Sequence, residues 1–145
     1  MTTDQKGAIA ETAVAHAAVK LGIDVYRPVA EGGRYDLILD LGTRLLRVQC
    51  KWAARHGAVI FVRCYSCRRT ANGMLYRPYT AREIDAIAAY CPETNRCYLL
   101  AAGLIAGRNA ISLRLDPTRN AQKRRVHWAD EFDFGRLDWQ GISGP

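Results

Sequence analysis

The spacing of apolar positions divides the chain into one helix followed by a series of short strands. TTDQKGAIAETAVAHAAVKLG carries alanine and valine at helical intervals, with Thr3 or Asp4 as the cap and Gly22 as the stop. IDVYRPV reads as a strand closed by Pro28, and AEGGR as a turn-forming loop. YDLILDL and RLLRVQCKW read as strands, with AVIFVRCY as a third strand of the same set. RRTANGMLYRPY is expected to be a basic loop. TAREIDAIAAYC is expected to be a helix opened by a capping box of Thr80 and Glu83. RCYLLAAG and AISLRLD are further strands. The chain then becomes basic and irregular in PTRNAQKRRVHW and acidic in ADEFDFGRLDW. This order predicts a single α/β domain over residues 1–145, a mixed central β-sheet flanked by helices, with a basic then acidic tail over 117–145.

The sharpest local prediction is a hairpin. LGTR, residues 41–44, is a two-residue loop with glycine first, the signature of a type II′ turn. That register pairs Leu41 with Arg44 and, stepping outward, Asp36 with Gln49. Opposed side chains in such a pair have β-carbons roughly 4.5–5.5 Å apart. Lys51 lies diagonal to Asp36 on the same face. The other face carries Leu37, Leu39 and Leu41 beside Leu46, Val48 and Cys50, a continuous apolar surface. Ile38 and Leu45 make the Asp36 face half-buried as well. A carboxylate, an amide and an ammonium there need partners or a function. A structural Asp–Lys pair completed by Gln49 satisfies that need, and so does a catalytic site. Glu11 bears on the choice. It is an acid in the middle of an alanine-rich helix, on a stripe with Gly7 and Ala15 that is small enough for it to reach a strand.

Charge narrows the partner. Lys and Arg number 21 against 14 Asp and Glu, a net +7 with pI near 9.4, and arginine supplies most of the excess. Arginine's planar fork suits phosphate, so an anionic polymer is a natural partner. No apolar run is long enough to span a bilayer and no secretion signal is visible, so the expectation is an intracellular, cytoplasmic protein with reduced thiols and no membrane partner. The five cysteines fit that compartment. Cys64 and Cys67 form one C-x-x-C, but Cys91 and Cys97 do not complete a zinc set by spacing, so structural zinc is not expected.

Taken together, Glu11, YDLILD and RVQCK resemble the PD-(D/E)XK nuclease superfamily: a helix glutamate, an aspartate opening one strand, and acid-x-Lys on the next. YTAREIDAIAAYCPETNRCYLL and ISLRLDPTRNAQKRRVHWADEFDF are similar to the branch that includes an intron-encoded homing endonuclease, so the resemblance runs from the first helix to about Phe134. Two positions depart from the signature: Tyr35 replaces the proline before Asp36, and Gln49 replaces the acid. The branch tolerates glutamine there.

The resemblance implies a restriction-endonuclease-like αβββαβ core and a metal-dependent endonuclease acting on double-stranded DNA, of site-specific homing type. It implies Glu11, Asp36, Gln49 and Lys51 as catalytic residues. It also implies Mg²⁺, with Mn²⁺ as a substitute, held by Asp36, Gln49, Glu11 and the backbone carbonyl of Cys50. Arg27, Arg34, Tyr35, Arg55, His56, Arg63, Arg68, Arg69, Arg77, Lys123, Arg124 and Arg125 are the candidate DNA contacts. One site per chain implies a homodimer or homotetramer for cutting both strands. A four-way-junction resolvase, and a DNA-binding protein whose catalysis has lapsed at Gln49, are the competing readings.

Overall fold

The structure, a computed structural model, describes residues 1–117 and 126–142. Helix α1 spans Thr3–Lys20. Its cap is Thr2, one residue earlier than expected. Gln5 completes a capping box: its N–H donates to Thr2 Oγ1 at 3.1 Å, and Thr2 N–H donates to Gln5 Oε1 at 2.8 Å. The helix ends before Gly22, whose φ of +79° suits glycine.

Strands β1 (Asp24–Tyr26), β2 (Leu37–Asp40) and β3 (Leu45–Trp52) form an antiparallel meander. The β2–β3 register is the expected one from Asp40↔Leu45 to Leu37↔Val48. Gly42 has φ +82° and Thr43 is not in the left-handed region, as a type II′ turn requires.

Next come β4 (Arg55–His56), β5 (Val59–Arg63), β6 (Tyr65–Thr70) and β7 (Gly73–Pro78), then β8 (Ala86–Cys91), β9 (Arg96–Ala101), the short helix α2 (Ala102–Ile105), β10 (Ala110–Arg114) and β11 (His127–Trp128). The central sheet has the order β1-β2-β3-β8-β9, mixed because β3 and β8 run parallel. A second sheet, β11-β10-β5-β4, covers one of its faces, and β6–β7 form a separate two-stranded ribbon.

Three layers result. On one side, Val14 and Ala18 of α1 pack on Leu37, Leu39, Leu46 and Val48. On the other, Ile87, Ala89, Tyr98 and Leu100 meet Ile60, Val62, Ile111 and Leu113 of the second sheet. A second β-layer therefore takes the place expected for a second flanking helix.

Three sequence expectations change. The helix expected at 80–91 is strand β8 preceded by a turn. The Thr80–Glu83 signal marks only that turn, with Glu83 N–H donating to Thr80 O at 3.0 Å. β8 is central and buried on both faces, so it reads as a continuous apolar run with no alternation. AVIFVRCY contains β5, but β5 pairs with β10 in the second sheet rather than joining β2 and β3. The basic loop is the β6–β7 ribbon, turned at Ala71–Asn72, with Gly73, the first residue of β7, at φ +110°. Every residue of β7 is exposed, so no buried face marked it as a strand.

Candidate active site

The site lies where β2 and β3 diverge. The ladder stops at Leu37↔Val48, and Asp36 N–H bonds to Val48 O at 2.9 Å instead of continuing the pairing. Asp36 therefore does not face Gln49 as the hairpin register predicted. Its Oδ2 accepts the Cys50 N–H at 2.9 Å, and Oδ1 takes no hydrogen bond from the described residues. In an extended strand a residue's N–H and C=O point to the same side. The Cys50 carbonyl is thus on the Asp36 side of β3.

Glu11 and Asp36 line one cavity of about 400 Å³, with Arg27, Tyr35 and the 28–33 loop around it. Arg27 forms an ion pair with Glu11. Burial raises the Glu11 pKa; Arg27 opposes this, and the nearby charge of Asp36 adds to it, leaving a net rise. Burial also raises Asp36, against the lowering effects of the Cys50 N–H and the Lys51 charge. Burial lowers Lys51, with Asp36 opposing. Two carboxylates that resist ionising and an ammonium that resists protonation share this one strand end. Lys51 Nζ donates to Tyr65 O at 2.9 Å and lies 5.1 Å from the Tyr79 ring centre.

Gln49 is placed differently. α1 packs on the Cys50 face of β3, so Glu11 arrives from that side and not from the Gln49–Lys51 face, contrary to expectation. Gln49 lines a neighbouring cavity of about 400 Å³ with Arg34, Ser66 and Arg68 of the ribbon side. Lys51 lines a third, of about 450 Å³, with Lys6, His56 and Arg63.

The candidate DNA contacts also separate. Arg27 is engaged by Glu11. Arg34 stacks 4.3 Å from the Tyr79 ring centre and donates to Ser66 Oγ and Pro78 O, both at 2.7 Å. Its Nε makes an off-axis ion pair with Glu83 at 2.9 Å, and Arg77 bonds the same carboxylate at 2.8 Å. Arg55 turns back to Gly57 O at 2.7 Å. Tyr35 is half-buried against the inter-sheet core. Arg68 and Arg69 are exposed and make no hydrogen bond or ion pair among the described residues. Lys123, Arg124 and Arg125 lie outside the described residues.

Sequence reading missed one buried network. Arg47 donates to Asp85 Oδ2 through its backbone N–H at 2.8 Å and its Nε at 3.1 Å, and to Oδ1 through Nη2 at 3.2 Å. The guanidinium also holds Ala81 O and Arg82 O, fixing the turn that leads into β8. These residues are 38 apart, with no local signal to join them.

A family model of PD-(D/E)XK endonucleases matches residues 1–135. The chain belongs to that family. Among solved structures it is similar to a bacterial homing endonuclease, I-Ssp6803I, with 26% identity, 86% of each chain covered and a TM-score of 0.71. No curated protein matches the chain.

As an endonuclease of this family, the protein offers two carboxylates, a backbone carbonyl and an amide at the strand end. Among the described residues no group of three or more His, Cys, Asp or Glu is gathered around one point. A hard divalent ion that takes oxygen ligands and retains several waters fits this sparse oxygen set, in which Asp36 Oδ1 takes no hydrogen bond among the described residues. The cysteines do not fit a zinc site: Cys64 is buried with Sγ 3.7 Å from Val62 O, and Cys67 is exposed on the ribbon.

Proposed function

We propose that this endonuclease is metal-dependent and hydrolyses phosphodiester bonds at defined sites in double-stranded DNA, in the manner of a homing enzyme. The observation that carries the reading is that Glu11 and Asp36 line one open cavity where β2 leaves β3, with Lys51 near enough for its charge to lower the Asp36 pKa. The described residues contain no helix long and apolar enough to cross a membrane.

Asp36, Glu11 and the Cys50 carbonyl would hold Mg²⁺, or Mn²⁺ in its place, and the Gln49 amide oxygen, which lines the neighbouring cavity, would join them only by turning toward the ion. The ion, when bound, neutralises charge on the scissile phosphate and lowers the pKa of a coordinated water. The protein's own groups do the rest. The Cys50 N–H holds the Asp36 carboxylate through Oδ2 and leaves Oδ1 without a hydrogen bond among the described residues. Lys51 has three donors and uses one on Tyr65 O, which leaves two for the attacking water and a phosphate oxygen. Its lowered pKa brings it nearer to accepting a proton from that water, while its charged form stabilises the phosphate. Arg27, which now pairs with Glu11, would be free to meet a DNA phosphate once Glu11 serves an ion. Gln49 contributes no charge, so Glu11 supplies the second carboxylate that an acid at position 49 would otherwise provide.

One strand end cuts one strand, so double-strand cleavage requires two copies, and a homodimer or homotetramer is part of the proposal. The test is incubation with a randomised duplex library in Mg²⁺, Mn²⁺ or chelator, followed by sequencing of cut ends. The reading predicts cuts at a recurring sequence that depend on the metal. Binding without cutting in either metal would instead identify a lapsed enzyme, and cleavage confined to four-way junctions a resolvase.

A further inference from the structure

The β6–β7 ribbon carries exposed side chains that its place in the fold does not explain. Its register sets Arg68 opposite Leu75 and Ser66 opposite Arg77 on one face, and Arg69 opposite Met74 and Cys67 opposite Tyr76 on the other. The first face looks onto the cavity that Gln49 lines, so it borders the catalytic strand end. The second is closed near its base by the edge-on packing of Tyr65 and Tyr76, ring centres 5.4 Å apart.

The base of the ribbon is anchored. Arg34 bonds Ser66 and Pro78, Arg77 shares Glu83 with Arg34, and Lys51 bonds the carbonyl of Tyr65. The outer part is not. Arg68 and Arg69 have no partner among the described residues. Met74, Leu75 and Tyr76 are 46%, 47% and 59% exposed, three successive large apolar side chains on a strand whose every residue is exposed. Free guanidinium groups beside exposed apolar groups do not stabilise this fold, but they match the chemistry of base edges.

Dimensions agree. Six residues of strand extend about 20 Å. A two-stranded ribbon is one of the elements that the major groove, about 12 Å wide, admits. Arginine reads guanine by two parallel hydrogen bonds, and an apolar side chain reads the thymine methyl.

We propose that Arg68 and Leu75, cross-strand partners on the face of the β6–β7 ribbon that borders the catalytic strand end, read base pairs in the major groove of double-stranded DNA beside the scissile phosphate. Arg68 recognises a guanine and Leu75 a thymine methyl. Because Lys51 holds the ribbon's first residue, base reading and cleavage are kept in one register. The inference rests on the DNA-cleaving reading above.

The test compares wild type, Arg68→Ala and Leu75→Ala on a randomised duplex library in Mg²⁺, with cut ends sequenced, salt dependence of binding measured, and mass in solution recorded. Both side chains are exposed, so unfolding temperatures should match wild type. The expected result is a loss of about tenfold in guanine preference at one position on each side of the cut for Arg68→Ala. A several-fold loss at a thymine is expected for Leu75→Ala, with the remaining positions unchanged. Unaltered base preference with uniformly weaker binding, and a salt slope reduced by about one, would overturn the proposal by making Arg68 a phosphate contact. A Leu75→Ala protein that changes its oligomeric mass would overturn it by making the ribbon a subunit interface. Wild type that leaves the library uncut would refute the nuclease reading itself, and base reading at a cut with it.

Discussion

Replacing Arg47 with methionine keeps the side chain's length and removes its guanidinium. Asp85, 7% exposed, then keeps the Arg47 backbone N–H and the Arg44 ion pair at 3.4 Å, but loses the Nε and Nη2 bonds. The Ala81 and Arg82 carbonyls lose their donor as well. A hydrogen bond to a charged group contributes about 1.5–3 kcal/mol. Arg47 is about one-third exposed and Arg44 compensates in part, so we expect a net loss of about 2–3 kcal/mol rather than the sum. For a domain of this size that lowers the unfolding temperature by roughly 6–10 °C. The assay is thermal and urea unfolding followed by circular dichroism between pH 3 and 8. Burial alone would raise Asp85, but the Arg47 bonds and the two guanidinium charges outweigh it and hold the carboxyl below its ordinary value. A depressed carboxyl contributes stability above its unfolded pKa, near 3.8, and loses it as pH falls through the folded value. The gap between wild type and Arg47→Met should therefore be full at pH 7 and shrink below about pH 4. A variant within about 0.5 kcal/mol of wild type at pH 7, or a gap unchanged at pH 3, would refute the assignment of this network as the clamp between β3 and β8.

Asp36→Asn should raise the unfolding temperature of the metal-free protein at neutral pH, because a carboxyl whose folded pKa is raised by burial opposes folding once ionised. Mg²⁺ should raise the wild-type temperature and leave that variant unmoved; equal shifts in both would remove Asp36 from the ion's ligands. Gln49→Glu should bring half-maximal Mg²⁺-dependent stabilisation to a lower concentration, and an unchanged titration would make Gln49 a neighbour only. In native protein a thiol reagent should modify Cys67 rapidly and the other four cysteines only after denaturation, since Cys67 alone is exposed and burial pushes Cys97 up to about 12. Fast reaction of a second thiol would contradict the packing.

How much of this could be read from the sequence depended on how local the deciding interaction was. The β2–β3 hairpin was legible because Gly42 and alternating leucines specify it within a dozen residues. β8 was not, since a strand buried on both faces loses its alternation, and its alanines together with a Thr80–Glu83 turn imitate a capped helix. The ribbon was hidden because no face of it is buried, although Asn72–Gly73 is a hairpin signal. At the candidate site, the placement of the side chains was only partly legible. The hairpin register holds as far as Leu37↔Val48 and fails at Asp36, whose N–H bonds Val48 O and whose carboxylate takes the Cys50 N–H. Which face α1 covers depends on the apolar surface of the whole sheet, so the side from which Glu11 approaches could not be read from the helix alone. Arg47 and Asp85 join across a crossover of two strand pairs, beyond any sequence pattern.

Asp36 and Lys51 are proposed to do the chemistry at the end of β3. The direct measurement is cleavage of the duplex that wild type cuts in Mg²⁺, with Asp36→Ala and Lys51→Ala assayed beside it for folding, DNA binding and cutting. Both variants should fold, bind the duplex and leave it whole. Cutting by either variant at the wild-type rate would contradict that assignment.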